Sequence, residues 1–183
     1  MALSCSLNKN LLKGENCDYV LQSVTEIYLA DYTDSKITRT SGETGCGQSV
    51  TAIALGDGES WYRIQPSKGT ASFTDVLNVT DSGNKYRTHS LSFSVSGKYD
   101  AEMACVIDGL SLGSYLAIAV FADGSAVLLG DEKVGLEATV VTNTGAASAT
   151  EASGISVEMS ADLTVTALPI ANLDAIVNPG AGE

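Results

Sequence analysis

The stretch Leu91-Ser-Phe-Ser-Val95, with the residues that follow it as far as Ile170, decides the fold of this chain. Its apolar side chains alternate with serines, which is the two-residue period of a β-strand that buries one face. The alternation extends back through His89 to Tyr86, and His89 falls on the apolar side. The sequence therefore predicts a strand with one face in a core and one face of small hydroxyl groups.

The period changes after Gly97, and a helix is predicted over about residues 98–110. Its apolar residues recur at i, i+4, i+7, i+8 and i+11, which forms one stripe on a helix; they are Tyr99, Met103, Val106, Ile107 and Leu110. Either Gly109 or Gly113 is expected to end the helix. Cys105 is expected to behave as a small buried hydrophobic residue.

The next segments again favour strands. Leu116–Phe121 is almost entirely apolar and is predicted to be covered on both faces, and Asp123-Gly124 predicts a two-residue hairpin of type I′. Further strands are predicted at 24–32, 49–55, 61–64, 70–79, 127–129, 136–142, 155–160 and 163–168. The predicted class is mainly β: an antiparallel β-sandwich or open barrel with one short flanking α-helix at about 98–110.

A single β domain is expected over residues 1–183, with a possible N-terminal arm at about 1–20 and a frayed C-terminal tail at about 171–183. The length allows one domain with a substantial core. No window approaches the apolar run of a membrane span, and no export leader is recognised. The four cysteines, Cys5, Cys17, Cys46 and Cys105, are therefore expected to be reduced.

The charge of the chain is acidic and uneven. Residues 1–98 hold nine Lys/Arg and ten Asp/Glu, a net charge of −1, whereas residues 99–183 hold Lys133 and twelve Asp/Glu, a net charge of −11. Proteins that bind nucleic acid gain affinity from basic surfaces, so specific DNA binding is not expected. Simple solubility is the alternative explanation of the acidity.

The sequence offers little for catalysis, and we expect neither an enzyme nor a bound cofactor or metal. His89 is the only histidine, and its register favours a core or strand-edge position over a catalytic base. Acidic residues at 31–34 and 57–59 do not follow the ligand spacing of a calcium loop. Trp61, Tyr62 and Arg63 suggest a sugar platform, but a single tryptophan in a β protein is more often part of the core.

The order of these segments resembles the phage tail tube (major tail) proteins of tailed phages and prophages. The likeness lies in the serine-rich strand, the helix after Gly97, the hairpin at 118–124, the segments 127–130 and Gly135-Leu136, and the Ser/Thr/Gly/Ala loop before Ser153-Gly-Ile-Ser-Val157. One departure is Ala152-Ser-Gly-Ile155, where the family often has an acidic residue, Asn or Asp, Gly and an aromatic residue.

The resemblance implies a virion structural protein of the tail, assembled in the host cytoplasm. In that family, six subunits form a ring whose sheets join into a continuous inner barrel, and stacked rings form a tube that conducts the genome. The implied partners are further copies of the chain and other tail proteins; DNA passes without specific binding, and no membrane is involved.

Two sets of site residues are predicted in that context. The candidate lumen acids are Glu137, Glu151, Glu158 and Asp162; the alternative is that they only solvate the outer surface. Asp123, at a hairpin tip, is assigned either to the lumen or to a ring contact. The candidate inter-subunit loop lies within residues 142–152 and includes Thr142, Asn143, Thr144, Gly145, Ser148 and Thr150.

Two other functions stay open from the sequence. One is a secreted β-sandwich adhesin or carbohydrate-binding module. The other is a different tail component of the same fold, such as a terminator or connector.

Overall fold

A computed structural model describes residues 23–40, 48–97, 99–145 and 153–178. These residues form eleven strands and two helices. The strands are β1 (Val24–Asp31), β2 (Lys36–Thr40), β3 (Ser49–Ala54), β4 (Tyr62–Ile64), β5 (Ser72–Val79), β6 (Lys85–Val95), β7 (Ser114–Phe121), β8 (Ala126–Leu129), β9 (Leu136–Thr144), β10 (Gly154–Leu163) and β11 (Leu168–Pro169). The helices are α1 (Ala101–Leu112) and α2 (Leu173–Val177).

Nine of the strands belong to one hydrogen-bonded sheet that folds over on itself. Four of them, in the order β5-β6-β10-β9, form one layer, and β4-β1-β7-β8-β11 form the layer that faces it. The layers are joined where β7 pairs with β9, through Ser114 opposite Glu137 and Tyr115 opposite Leu136. All strand ladders are antiparallel. The predicted mainly β, sandwich-like class is confirmed.

The first core lies between these two layers. Inward side chains of β6 and β10 meet those of β1 and β7, and Ile27, Leu91, Val157 and Met159 are all almost fully buried there. Along β10, buried and exposed residues alternate as its sequence predicts.

The second core lies on the other face of β7. The hairpin of β2 and β3 and the short helix α2 cover Leu116, Ile118 and Val120, while Ala117 and Ala119 face the first core. The prediction that Leu116–Phe121 is covered on both faces is confirmed, because only its last residue is partly exposed.

Helix α1 begins and ends close to its predicted bounds, but fewer of its apolar residues face the core than predicted. Asp100 caps it by accepting a hydrogen bond from the Met103 N–H at 2.9 Å, and Gly113 follows its last residue. Met103, Ile107 and Leu110 pack on the first core. Tyr99 and Val106 are exposed instead.

The prediction that Cys105 is buried is wrong. The side chain lies on the solvent side of α1, between the exposed residues 101–102 and 108–109. A small apolar side chain tolerates either environment, so its type alone did not determine which face of the helix it occupies.

The turn between β7 and β8 also differs from its predicted type. Gly124 has a φ of +83°, but Asp123 does not share the positive φ that a type I′ turn requires. Phe121 O instead accepts from Gly124 N–H, and Phe121 N–H donates to Ser125 O. The loop is therefore a type I turn followed by a left-handed glycine, a common three-residue hairpin connection.

Several segments near the C-terminus are paired differently from the prediction. β10 continues without a break to Leu163. The separate strand predicted at 163–168 does not form: Leu163 is the last residue of β10, and Leu168 is the first residue of β11. The tail predicted to fray from about 171 contains α2, whose Ile176 is 2 % exposed and belongs to the second core. The predicted N-terminal arm and the end of the tail (179–183) lie outside the described residues.

The strands predicted from the sequence do not include residues 36–40, yet these residues form β2 and pair with β3. Tertiary pairing decided this, because Ile37 fills the second core. No helix among the described residues has the length and apolarity needed to cross a membrane.

Candidate functional site: a hydroxyl-rich sheet face with open edges

The outer side of the β5-β6-β10-β9 layer carries small polar side chains almost throughout, and we call it the hydroxyl face. Its residues follow from the strand registers. They are Ser72, Thr74, Val76 and Asn78 on β5; Tyr86, Thr88, Ser90, Ser92 and Ser94 on β6; Ser156, Glu158, Ser160 and Asp162 on β10; and Glu137, Val140 and Thr142 on β9.

Side chains on this face bond to one another across the strands. The hydroxyls of Ser72 and Ser92 lie 2.8 Å apart, and the Ser94 hydroxyl donates to Ser156 at 3.1 Å. The Thr88 hydroxyl donates to the Asp162 carboxylate at 2.6 Å and accepts from the Asn78 amide at 2.7 Å. These contacts hold the hydroxyl and amide groups close to the sheet.

Three of the four predicted lumen acids come together on the hydroxyl face. Glu158 and Asp162 are exposed on β10, and Glu137 is exposed on β9, where its carboxylate accepts from the Ser114 hydroxyl at 3.0 Å. Glu151 lies outside the described residues. None of the face residues named above is Lys or Arg. The face is therefore uniformly neutral or negative.

Asp123 does not belong to this face. It lies in the β7–β8 turn, where its carboxylate accepts from the Ser125 hydroxyl at 2.6 Å and the Ser125 N–H at 2.9 Å. These hydrogen bonds lower the pKa of Asp123. The carboxylate thus stabilises the turn, and the assignment of Asp123 to a ring contact stays a prediction.

Both outer strands of this layer have an open edge, that is, an edge without a strand partner, within the part of the chain that the structure describes, and α1 lies close beside β9. β5 pairs only with β6, and β9 pairs with β7 only at residues 136–137, which leaves the outer side of residues 138–144 unpaired. Unpaired strand edges are templates for pairing with another chain. Because the four strands alternate in direction, β5 and β9 run in opposite directions.

The predicted inter-subunit loop is partly strand. Thr142, Asn143 and Thr144 continue β9, opposite residues 154–156 of β10, and only Gly145 follows as loop. The prediction of a loop from residue 142 is thus wrong, since two β-branched threonines in this segment pair well in a sheet. Ser148 and Thr150 lie outside the described residues.

Behind the face, His89 is confirmed as a core residue and is fully buried. Its Nδ1 accepts from the Gly130 N–H at 3.3 Å, and its Nε2 lies 3.1 Å from Val165 O, to which it donates. Burial lowers the pKa of His89, although nearby Asp75 opposes the shift. The neutral ring is thereby fixed as a structural link between the two layers.

Asp75 is the partner that the sequence did not reveal. Burial alone would raise its pKa, but hydrogen bonds from Arg87 Nε at 2.5 Å and Ala167 N–H at 3.0 Å outweigh burial and lower it. The carboxylate thus joins β5 and β6 to the turn before β11. In the structure, Asp75 lies on the core side of β5, directly opposite His89 on β6.

The other candidate sites do not form a shared pocket with these groups. Trp61 packs against the second core, while Tyr62 is exposed and Arg63 bonds to Glu26 on β1. Among the described residues, no three His, Cys, Asp or Glu side chains are grouped so as to hold a metal ion.

No family model matches the chain, and no curated protein or solved structure matches it either.

Proposed function

We propose that this chain is a phage tail tube subunit, which assembles into rings stacked as a genome-conducting tube. One observation carries the proposal: a four-stranded antiparallel layer has two open edges and an exposed face of hydroxyls and carboxylates without Lys or Arg. The order of sequence segments that resembles tail tube proteins supports it independently.

The open edges suit a closed ring of identical copies. In a cyclic assembly each copy presents β5 to the β9 of its neighbour, which is a heterologous contact that closes when the rotation fits. Since β5 and β9 run in opposite directions, the joint continues the antiparallel order. Such closure removes the exposed edges that would otherwise lead to uncontrolled pairing.

The dimensions also suit a conduit. Six copies of the four strands give a barrel of twenty-four. With strands about 4.8 Å apart and tilted by about 40°, the backbone diameter is about 45–50 Å. Short side chains on the hydroxyl face leave most of that width open, which is enough for a DNA duplex.

The charge of the face suits passage and not binding. Duplex DNA carries one negative charge per about 1.7 Å, and Lys or Arg contacts to phosphate drive its affinity. Glu137, Glu158 and Asp162 instead repel the duplex over about 8 Å at physiological salt. A duplex inside the ring is therefore kept away from the wall.

Edge variants test this proposal. Thr74→Lys with Thr142→Lys adds a positive charge to each edge strand, so both sides of every joint carry the same charge, and we expect rings and tubes to be lost. The matched control is Ser90→Lys with Ser156→Lys, which adds the same charge to the same face on interior strands and leaves the edges unchanged. Light scattering and electron microscopy of concentrated protein measure the assemblies.

Two outcomes would contradict the proposal. Equal assembly by the edge variant and the control would show that the edges do not form the joint. A wild-type protein that stays monomeric at millimolar concentration would exclude a self-assembling tube, and glycan binding by that monomer would favour the carbohydrate-binding alternative.

A further inference from the structure

Two aliphatic side chains interrupt the hydroxyl face, one on each of its outer strands. Val76 on β5 is 49 % exposed, and Val140 on β9 is 45 % exposed. Their cross-strand neighbours within the layer are polar: Thr88 lies opposite Val76, and Glu158 lies opposite Val140. β-branched side chains stabilise a sheet by packing against apolar cross-strand neighbours. Among the described strands neither valine has such a neighbour, and each has an open side where the next copy would join.

Only part of β9 is free to pair with another strand. β7 pairs with its first two residues, and the ladder to β10 is irregular just before residue 140, so the regular unpaired stretch is 140–144. Helix α1 packs beside β9, but the hydroxyl-face side chains of this stretch are exposed. A joint that places Thr144, the last residue of β9, beside Ser72, the first residue of β5, also brings Val140 beside Val76. The strand ends and the two valines therefore select the same register.

This register matches like with like on the hydroxyl face. The three antiparallel pairs are Ser72 with Thr144, Thr74 with Thr142, and Val76 with Val140. Pairs of hydroxyl side chains and pairs of β-branched aliphatic side chains both stabilise antiparallel strands. A slip of two residues is the smallest that keeps each strand on its face, and it puts Val140 opposite Thr74 or Asn78 instead. Either slip separates the two valines.

The core side of the joint is compatible with this register. There Phe73 lies opposite Asn143, and Asp75 lies opposite Val141. Phe73 packs against another aromatic ring of its own copy, and the Asp75 carboxylate already accepts hydrogen bonds within its own copy. Val141 packs on the first core. Because these three side chains already have partners, the pairs on the hydroxyl face decide the register.

The same register gives the strands the tilt that a closed barrel needs. Within one copy, the strand registers place Thr74 of β5 and Glu137 of β9 on one line perpendicular to the strands. When Val140 meets Val76 of the next copy, Glu137 lies beside residues 78–79 there, so the line advances by about four to five residues per copy, depending on how the bulge of β9 is accommodated.

Six such steps determine the tilt of a barrel of twenty-four strands. The line advances by about 24–30 residues around the ring, which corresponds to a strand tilt of about 35–41° at the usual strand spacings. Closed barrels have tilts of about 35–45°. A slip of two residues gives about 20–28° in one direction and about 47–51° in the other, and both values lie outside that range.

We infer that residues 72–76 of β5 pair with residues 140–144 of β9 in the next copy, with Val76 directly opposite Val140. The inference rests on the proposed function, because it specifies the register of the joint that closes the ring. The valine pair is the one apolar contact across the joint on the hydroxyl face, so a slipped register loses it. By setting the register, the pair also sets the strand tilt and with it the width of the channel.

Cysteine cross-linking tests the register. In a chain whose four native cysteines are replaced by serine, Val76→Cys with Val140→Cys should form disulfides between copies under mild oxidation, because directly opposite residues have Cβ atoms about 4.5–5.5 Å apart. The matched controls, Thr74→Cys with Val140→Cys and Asn78→Cys with Val140→Cys, test a slip in each direction on the same face. Their thiols lie diagonally, about 7–8 Å apart, and should cross-link at least tenfold more slowly. Denaturing electrophoresis counts the linked copies.

A charge pair tests the same contact without cysteines. Val76→Glu and Val140→Lys should each raise the protein concentration needed for rings at least tenfold, because each places a lone charge against a valine of the next copy. The two substitutions together should restore rings, a result that two independent folding defects do not produce. The control is Val76→Glu with Val134→Lys, which adds the same charge at an exposed position before β9, outside the joint, and should not restore them.

The outcomes separate the inference from the proposed function. Faster cross-linking by a slipped pair, or no restoration by the charge pair, would overturn the register and leave a ring joined through β5 and β9 intact. Rings in which none of the three cysteine pairs cross-links would contradict the joint itself. A wild-type protein that forms no rings would overturn the proposed function and the inference together.

Discussion

At the scale of single residues, the ring of His89 is fully buried and bonded at both nitrogens. Gly130 N–H donates to Nδ1, so the proton of the neutral ring lies on Nε2 and faces Val165 O. A second proton at Nδ1 would point at the Gly130 N–H and break that hydrogen bond. The folded protein therefore favours the neutral ring, in agreement with the lowered pKa of His89.

This constraint predicts acid sensitivity. The unfolded chain has the ordinary histidine pKa of about 6.5, above that of the folded state, so it binds the proton more readily as the pH falls. We expect the free energy of unfolding to decrease below about pH 6.5, by at most about 1.4 kcal/mol per pH unit, until the pH reaches the folded pKa. Urea unfolding of dilute protein at pH 7.5 and 5.5 measures the change.

His89→Gln is the control for that prediction, because it removes the only histidine of the chain. The variant should be less stable at pH 7.5 but should lose the additional change between pH 7.5 and 5.5. An equal decrease in both proteins would assign the acid sensitivity to other groups.

At the scale of elements, α1 depends on Asp100, the residue that caps its start. Asp100 accepts from the Met103 N–H, one of the backbone donors that a helix start leaves without an internal partner. Asp100→Ala should lower the free energy of unfolding by about 1 kcal/mol, whereas Asp100→Asn, which retains the accepting oxygen, should cost much less. Thermal unfolding compares the two; equal losses would show that the cap contributes little.

Strand β7 contributes side chains to both cores, so substitution of its buried residues should lower the free energy of unfolding strongly. Ile118 is fully buried in the second core, and Ile118→Ala should destabilise the protein by about 2–5 kcal/mol through lost burial and the resulting cavity. Val76→Ala, at an exposed position of β5, is the matched control and should stay within about 0.5 kcal/mol. A loss at residue 118 no larger than that of the control would contradict the two-core description.

The sequence predicts elements well where one strong periodicity acts alone. The alternation of β6 and β10 and the continuous apolar run of β7 correctly predict which faces are buried. Elements that depend on distant partners were not found: β2 forms because Ile37 reaches the second core, and α2 forms where Ile176 does. The sequence of β2 is too polar, and that of α2 too short, for a local pattern to indicate either element.

The sequence also predicts some of the residues of the hydroxyl face, again from the alternation along a strand. The alternation places Glu158 and Asp162 on the hydroxyl side of β10, but only the register of β9 against β10 brings Glu137 onto the same face. The two open edges depend on strand order, which no local pattern contains. The pairing of Asp75 with Arg87 and its position near His89 likewise required the fold.

At the scale of the whole molecule, the charge of the hydroxyl face should control how an assembly treats DNA. Tubes of Glu158→Lys with Asp162→Lys should retain duplex DNA in a sedimentation assay at low salt and release it as salt rises, since lysines recruit phosphate. Wild-type tubes should not retain it. The control is Asp57→Lys with Glu59→Lys, an equal charge change in the loop between β3 and β4, away from the face.

Equal DNA retention by the face variant and the loop control would contradict the lumen assignment. It would favour the alternative, in which Glu137, Glu158 and Asp162 only solvate an outer surface.

The central claim is that β5 of one copy pairs with β9 of the next and that the hydroxyl face lines the enclosed channel. Electron cryomicroscopy of the assembled wild-type protein tests it most directly. We predict a closed antiparallel barrel of twenty-four strands from six copies, with Glu158 and Asp162 facing inward. A ring joined through other strands, or one with the hydroxyl face directed outward, would contradict the account.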